Sequence, residues 1–90
     1  MNAIQINCRG KVQVVFFRVS TKKKADELGV FGWVRNEQDG SVTIHAEGDA
    51  DDVRKLLIWC ETGPQFAKVT KVTHISISLE GFKSFEIKHS

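Results

Sequence analysis

Ninety residues with a mass of 10.1 kDa leave room for one hydrophobic core, so residues 1–90 are expected to form a single domain. Hydrophobic residues at 41% and charged residues at 27% exclude a disordered chain, and a formal charge of +2 is too small to argue for a nucleic-acid partner. No apolar run approaches the ~20 residues of a membrane span, and the alternating start Met1 to Asn7 lacks the apolar stretch of a signal peptide. A cytoplasmic protein, monomeric and without a membrane partner, is the expectation. There Cys8 and Cys60 should be reduced, packed thiols, since neither has CxxC spacing. His45, His74 and His89 are scattered, so no metal site is expected.

Ile4, Ile6 and Cys8 alternate with Gln5, Asn7 and Arg9, the period of a strand with one buried face. Gly10 interrupts the pattern, and a helix is predicted from about Arg18 to Leu28, with Gly29 closing it. Val30 to Asn36 returns to strand character; Asp39-Gly40 marks a turn, and Ser41 to Ala46 completes a hairpin. In the second helix Asp49 is the expected N-cap, Asp51 and Asp52 sit in the positive first turn, and Val53, Leu56, Leu57 and Cys60 form one apolar stripe. Gly63-Pro64 ends it. Val69, Val72 and the alternating Ile75, Ile77 and Leu79 predict a fourth strand, with a short last strand within Phe82 to Lys88. The order βαββαβ predicts an α+β ferredoxin-like sandwich, two helices on one face of an antiparallel sheet. Such a sandwich hosts enzymes and binding modules alike, so it does not define a function.

The segment Gly10-Lys11-Val12-Gln13-Val14-Val15-Phe16-Phe17-Arg18 joins a strand to a helix start. That end presents N–H groups without intrahelical acceptors, and an arginine beside it offers a planar fork for two phosphate oxygens. On physical grounds alone it is either an anion cradle or a surface loop with a solvated arginine. The segment resembles the acylphosphatase signature, G-x-V-Q-G-V-x-F-R, through Gly10, Val12, Gln13, Val15, Phe17 and Arg18. Gly32-Trp33-Val34-Arg35-Asn36 is similar to the family's G-[FWY]-V-[RK]-N, and Asp39-Gly40-Ser41-Val42 to its hairpin. A third stretch, Trp59 through Gly63-Pro64 to Ala67 and Val69, resembles the segment after the family's second helix.

The resemblance implies hydrolysis of an acyl phosphate, a small molecule, to a carboxylate and inorganic phosphate, the latter a product inhibitor. It implies no cofactor, metal or covalent phosphoenzyme. Arg18 would bind the phosphoryl group together with the loop amides of Gln13, Val14, Val15, Phe16 and Phe17, and Asn36 would hold the attacking water. Val14 departs from the pattern, which has glycine there. If the position needs positive φ, a β-branched residue is strained by about 1–3 kcal/mol and activity falls; if φ is negative, only the bulk of two methyls matters.

Other features have plainer readings. Lys22-Lys23-Lys24 is a solvated helix face beside Asp26 and Glu27, and Arg35 alternates away from Asn36 as a surface residue. Asp49, Asp51 and Asp52 lack the glycine and distal glutamate of a calcium loop. Of Phe16, Phe17, Phe31 and Trp33, Phe17 and one of the last two are expected in the core. Two rival functions stand beside the hydrolase: an anion-binding domain without turnover, and an RNA-binding module of the same strand order. The second needs exposed aromatics on its central strands, and Ser41 to Ala46 has none.

Overall fold

The structure is a computed structural model that describes residues 1–89; Ser90, the last residue of the expected domain, lies outside the described residues. Its elements are β1 (Asn2–Lys11), α1 (Phe17–Leu28), β2 (Phe31–Asn36), β3 (Val42–Gly48), α2 (Ala50–Thr62), β4 (Lys68–Ser76) and β5 (Phe85–Lys88). The strands form one sheet in the order β4-β1-β3-β2-β5. Both helices pack on one face of it, where Ile6, Val34, Val42, Ile44 and Ala46 meet Phe17 and Ala25 of α1 and Val53, Leu56 and Cys60 of α2. The expected ferredoxin-like sandwich is therefore present, with one correction.

The sheet is mixed. β4, β1, β3 and β2 pair antiparallel, but β5 runs parallel to β2, with Gly32 opposite Phe85 and Arg35 opposite Lys88. The cause is topological. β4 runs against β2, so it ends where β2 begins. A chain that crosses the sheet at that end must enter β5 in the direction of β2.

α1 begins one residue before the predicted Arg18 and buries Phe17, Thr21 and Ala25, successive positions four apart on one face. The Gly29 N–H caps it through Ala25 and Asp26 carbonyls, as its left-handed φ of 72° allows. In α2 the apolar stripe is as expected, but Asp49 occupies the N-cap position without a side-chain capping hydrogen bond. Asp51 and Asp52 still place negative charge in the positive first turn.

β4 also departs from expectation. It stops at Ser76, and Ile75 and Leu79 are exposed. Its inward residues are Val69 and Val72, which pack against the core because the β1–β4 register slips between Arg9 and Gly10. Gly10 makes that slip possible: with φ of 119°, a Cβ there would lie 2.1 Å from the Lys68 carbonyl oxygen. Only glycine fits such an approach.

Candidate active site

β1, β2 and β5 point the same way, so Lys11, Asn36 and Lys88 finish at one edge of the sheet, where α1 starts. The loop from β1 to α1 is anchored there from both sides. Val12, Val15 and Phe17 are buried in the core. The Gln13 side-chain amide donates to the carbonyl oxygens of Glu37 (2.8 Å) and Ser41 (2.9 Å), tying the loop to both ends of the β2–β3 turn. Val14 and Phe16, between these anchors, face solvent.

Both of those exposed residues have left-handed backbones, φ of 60° at Val14 and 59° at Phe16, and Val15 between them does not. Alternation of this kind turns successive N–H groups toward one concavity, a common anion-binding arrangement. It also resolves the alternatives for Val14: the position has the glycine-type φ, and its side chain, 98% exposed, meets no crowding. Strain at φ, and not bulk, is what valine brings here. The first helical hydrogen bond runs from the Ser20 N–H to the Phe16 carbonyl at 3.0 Å, so the N–H groups of the first turn of α1 point to the same end.

Arg18 extends from that turn, partly exposed. Its Nη1 donates to the Lys88 carbonyl at 3.3 Å and stands 3.2 Å from Nδ1 of His89. Because a guanidinium cannot accept, His89 must present a lone pair at Nδ1 in this contact. Asn36, half-buried at the end of β2, pairs with Val42 in the sheet. Val12, Val14, Phe16, Phe17, Arg18, Val19 and Asn36 line one cavity of about 220 Å³. Arg18 and Asn36, 18 positions apart in sequence, thus open on the same space as the loop. Gln13 and Val15 do not line it; they hold the loop's back.

Two parts of this arrangement leave no mark in the sequence. The resemblance gives Gln13 a backbone amide to contribute, whereas its side chain is the clasp on the hairpin. The contact of Lys88 and His89 with Arg18 depends on the parallel course of β5, for which no local pattern exists. Arg35 lies away from the cavity, its guanidinium 4.7 Å from the Trp33 ring centre and 3.1 Å from Glu37. Lys22 is paired with Asp26 at 2.9 Å, as a solvated helix face would have it.

Among the described residues the opposite face of the sheet carries no helix, yet it is covered over β3 and Trp33. The segment 77–84 crosses it on the way to β5, and Glu47 grips that segment, accepting N–H bonds from Glu80 (2.6 Å), Gly81 (3.1 Å) and Phe82 (3.3 Å). His45 lies 2.7 Å from the same carboxylate and contacts Trp33 and Phe82 by its ring. Trp33, His45 and Glu47 are all buried. Hence, among the described residues, β1 and β3 present no open aromatic ring of the kind the RNA-binding reading requires. Of the aromatics, Phe17 and Trp33 are buried as expected, while Phe16 and Phe31 are exposed.

Fold and cavity together define a small α+β sandwich with a loop of alternating φ beside a cavity at a helix start. The acylphosphatase family model matches residues 4–87. A curated acylphosphatase of Methylococcus capsulatus is 43% identical over 88 residues, covering 97% of this chain and 96% of that protein. Among solved structures, an acylphosphatase from Bacillus subtilis superposes with a TM-score of 0.96 at 36% identity, covering 99% of this chain and 100% of its own. One from Coxiella burnetii gives 0.94 at 39% identity, covering 97% and 92%. The chain belongs to the acylphosphatase family.

Proposed function

We infer that the protein hydrolyses acyl phosphates, with residues 1–90 acting as one acylphosphatase domain. An acyl phosphate dianion and water give a carboxylate, hydrogen phosphate and one proton; the bond from phosphorus to the carboxyl oxygen breaks as water bonds to phosphorus. The observation that carries this reading is the shared cavity, where a loop of alternating φ, a helix start, Arg18 and Asn36 meet.

In this scheme the amides of residues 13–17 and the Arg18 fork hold the three phosphoryl oxygens and offset charge in the transition state. Charge-assisted bonds of this kind contribute roughly 1.5–3 kcal/mol each. Arg18 would exchange its Lys88 and His89 contacts for phosphate oxygens. Asn36 orients the water; a carboxamide is too weak a base to deprotonate it, so the proton passes to a phosphate oxygen. The carboxylate is already a good leaving group, and positioning with neutralisation suffices without a metal or cofactor. We propose further that the protein acts as a cytoplasmic monomer without a nucleic-acid partner; among the described residues no helix is long and apolar enough to cross a membrane.

The test is phosphate release from benzoyl phosphate with and without EDTA. Turnover unchanged by the chelator is expected, and strong inhibition would overturn the metal-free scheme. Asn36→Ala should lower kcat while leaving the inhibition constant of inorganic phosphate nearly unchanged. Equal losses in both would make Asn36 a phosphate ligand instead. Phosphate binding without any turnover would establish the anion-binding alternative.

A further inference from the structure

The cavity has an apolar lip that phosphate recognition does not use. Val14, Phe16 and Val19 are 98%, 77% and 59% exposed, and all three line it. Three large apolar side chains at the mouth of a polar site are an unusual use of surface, since water gains nothing from them. They come from the loop and the first turn of α1, whereas Asn36 comes from β2. In an in-line displacement the leaving carboxylate lies opposite the attacking water. Water held from the β2 side therefore leaves the acyl group on the side of the loop and helix.

We propose that Val14, Phe16 and Val19 bind the acyl group, so that the enzyme selects acyl phosphates with an apolar acyl chain. The proposal rests on the acylphosphatase reading and adds the substrate class. Arg18 is the one charged side chain among the described residues lining the cavity, and it is committed to the phosphoryl group. A second carboxylate in the acyl part would find no cationic partner there. Val14 has a particular place in this scheme: it stands where the family pattern has glycine, and that exchange adds apolar surface to the lip.

The test uses straight-chain acyl phosphates from acetyl to hexanoyl, whose carboxylates leave about equally well. kcat/KM should rise about twofold per methylene, a partial share of the gain for full burial. Succinyl phosphate should fall below butyryl phosphate. Phe16→Ser and Val19→Ser should each flatten the rise, and because the slope compares substrates within one protein, changes in phosphate affinity cancel. A flat series in the unaltered protein, or a slope that survives both substitutions, would overturn the proposal. Dissociation constants of methyl and hexyl phosphate need no turnover: tighter hexyl phosphate supports the apolar lip, and equal affinities count against it. If no acyl phosphate is hydrolysed, the hydrolase reading fails, and the alkyl phosphate comparison still decides whether the lip binds apolar chains.

Discussion

Val14 holds a left-handed backbone, φ of 60°, that a β-branched residue tolerates poorly. The geometry persists because Val12, Val15 and Phe17 are sunk in the core and Gln13 clasps the hairpin, so the neighbours dictate the loop. Val14→Gly should tighten inorganic phosphate, by up to about tenfold if about 1.4 kcal/mol of strain opposes the binding geometry. Val14→Ala keeps a Cβ and should not match that gain. Phosphate inhibition constants for the three proteins decide it, and equal values would mean that the strain does not bear on binding. Arg18 gives a sharper expectation. A lysine ammonium reproduces the charge but not the planar fork, so Arg18→Lys should lower kcat/KM by roughly a hundredfold. Near-normal efficiency in that variant would remove the bidentate role.

At the scale of elements, the segment 77–84 is tied at its ends by the Ile77 N–H bond to the Ala3 carbonyl and the Gly32 N–H bond to the Ser84 carbonyl, and at its middle by Glu47 and the contact of Phe82 with the His45 ring. The Glu47 carboxylate takes three consecutive backbone N–H groups and the His45 ring, all on the face opposite the helices. Glu47→Gln would turn an amide group toward those donors and leave N–H groups buried and unmatched. Removing one partner of such a buried network costs about 3–5 kcal/mol. Amide hydrogen exchange at Glu80, Gly81 and Phe82 should then rise well before that of β1 and β3. Uniform acceleration across the sheet would instead show that the crossing segment and the core open together. Gly32 belongs to the same scale: its φ is 138°, and a Cβ would lie 1.8 Å from the His45 carbonyl. The first position of the Gly32 to Asn36 motif is thus a packing requirement of the β2–β3 pair, while the last, Asn36, faces the cavity.

For the molecule as a whole, acid should be the destabilising direction. Burial pushes the Glu47 carboxyl up, but hydrogen bonds from His45 and the three backbone N–H groups together hold it below its ordinary value. Glu37 is lowered chiefly by a hydrogen bond from Thr43, and Asp39 by the hydroxyl and N–H of Ser41. Each has a folded pKa below its unfolded one. Their stabilisation is fully present above the unfolded carboxylate range, about 4–4.5, and is lost as pH falls through the folded values. Denaturant midpoints should therefore be level above about pH 5 and drop below about pH 4. Glu47→Gln should make that acid limb shallower, and an unchanged limb would assign it to other carboxylates. Cys8 and Cys60 belong to this scale as well. Both are buried and free, and the hydrogen bond that the Cys60 thiol donates to Cys8, with burial, raises Cys60 well above its usual value. They are packed thiols, as their apolar neighbours on β1 and α2 predict.

Local patterns by themselves determined the elements, because apolar period and turn chemistry act over a few residues. The α2 stripe of Val53, Leu56 and Cys60, the Gly29 stop and the Asp39-Gly40 turn each work within one element or between neighbours. Arg18 is legible as an arginine beside a predicted helix start, whereas Asn36 is picked out only by the resemblance of Gly32 to Asn36 to the family's motif. What needed tertiary structure is whatever depends on contacts far apart in the chain. The sign of φ at Val14 follows from anchors in the core and the hairpin. The parallel β5, and with it the Lys88 and His89 contact to Arg18, follows from where β4 leaves the sheet. The Ile75, Ile77, Leu79 alternation predicts a strand running to Leu79, but the strand ends at Ser76 because the chain there turns to cross the sheet. His45 and Glu47, polar at alternating positions of β3, carry no local sign of burial. They are buried because a segment more than 30 residues later returns to lie on them.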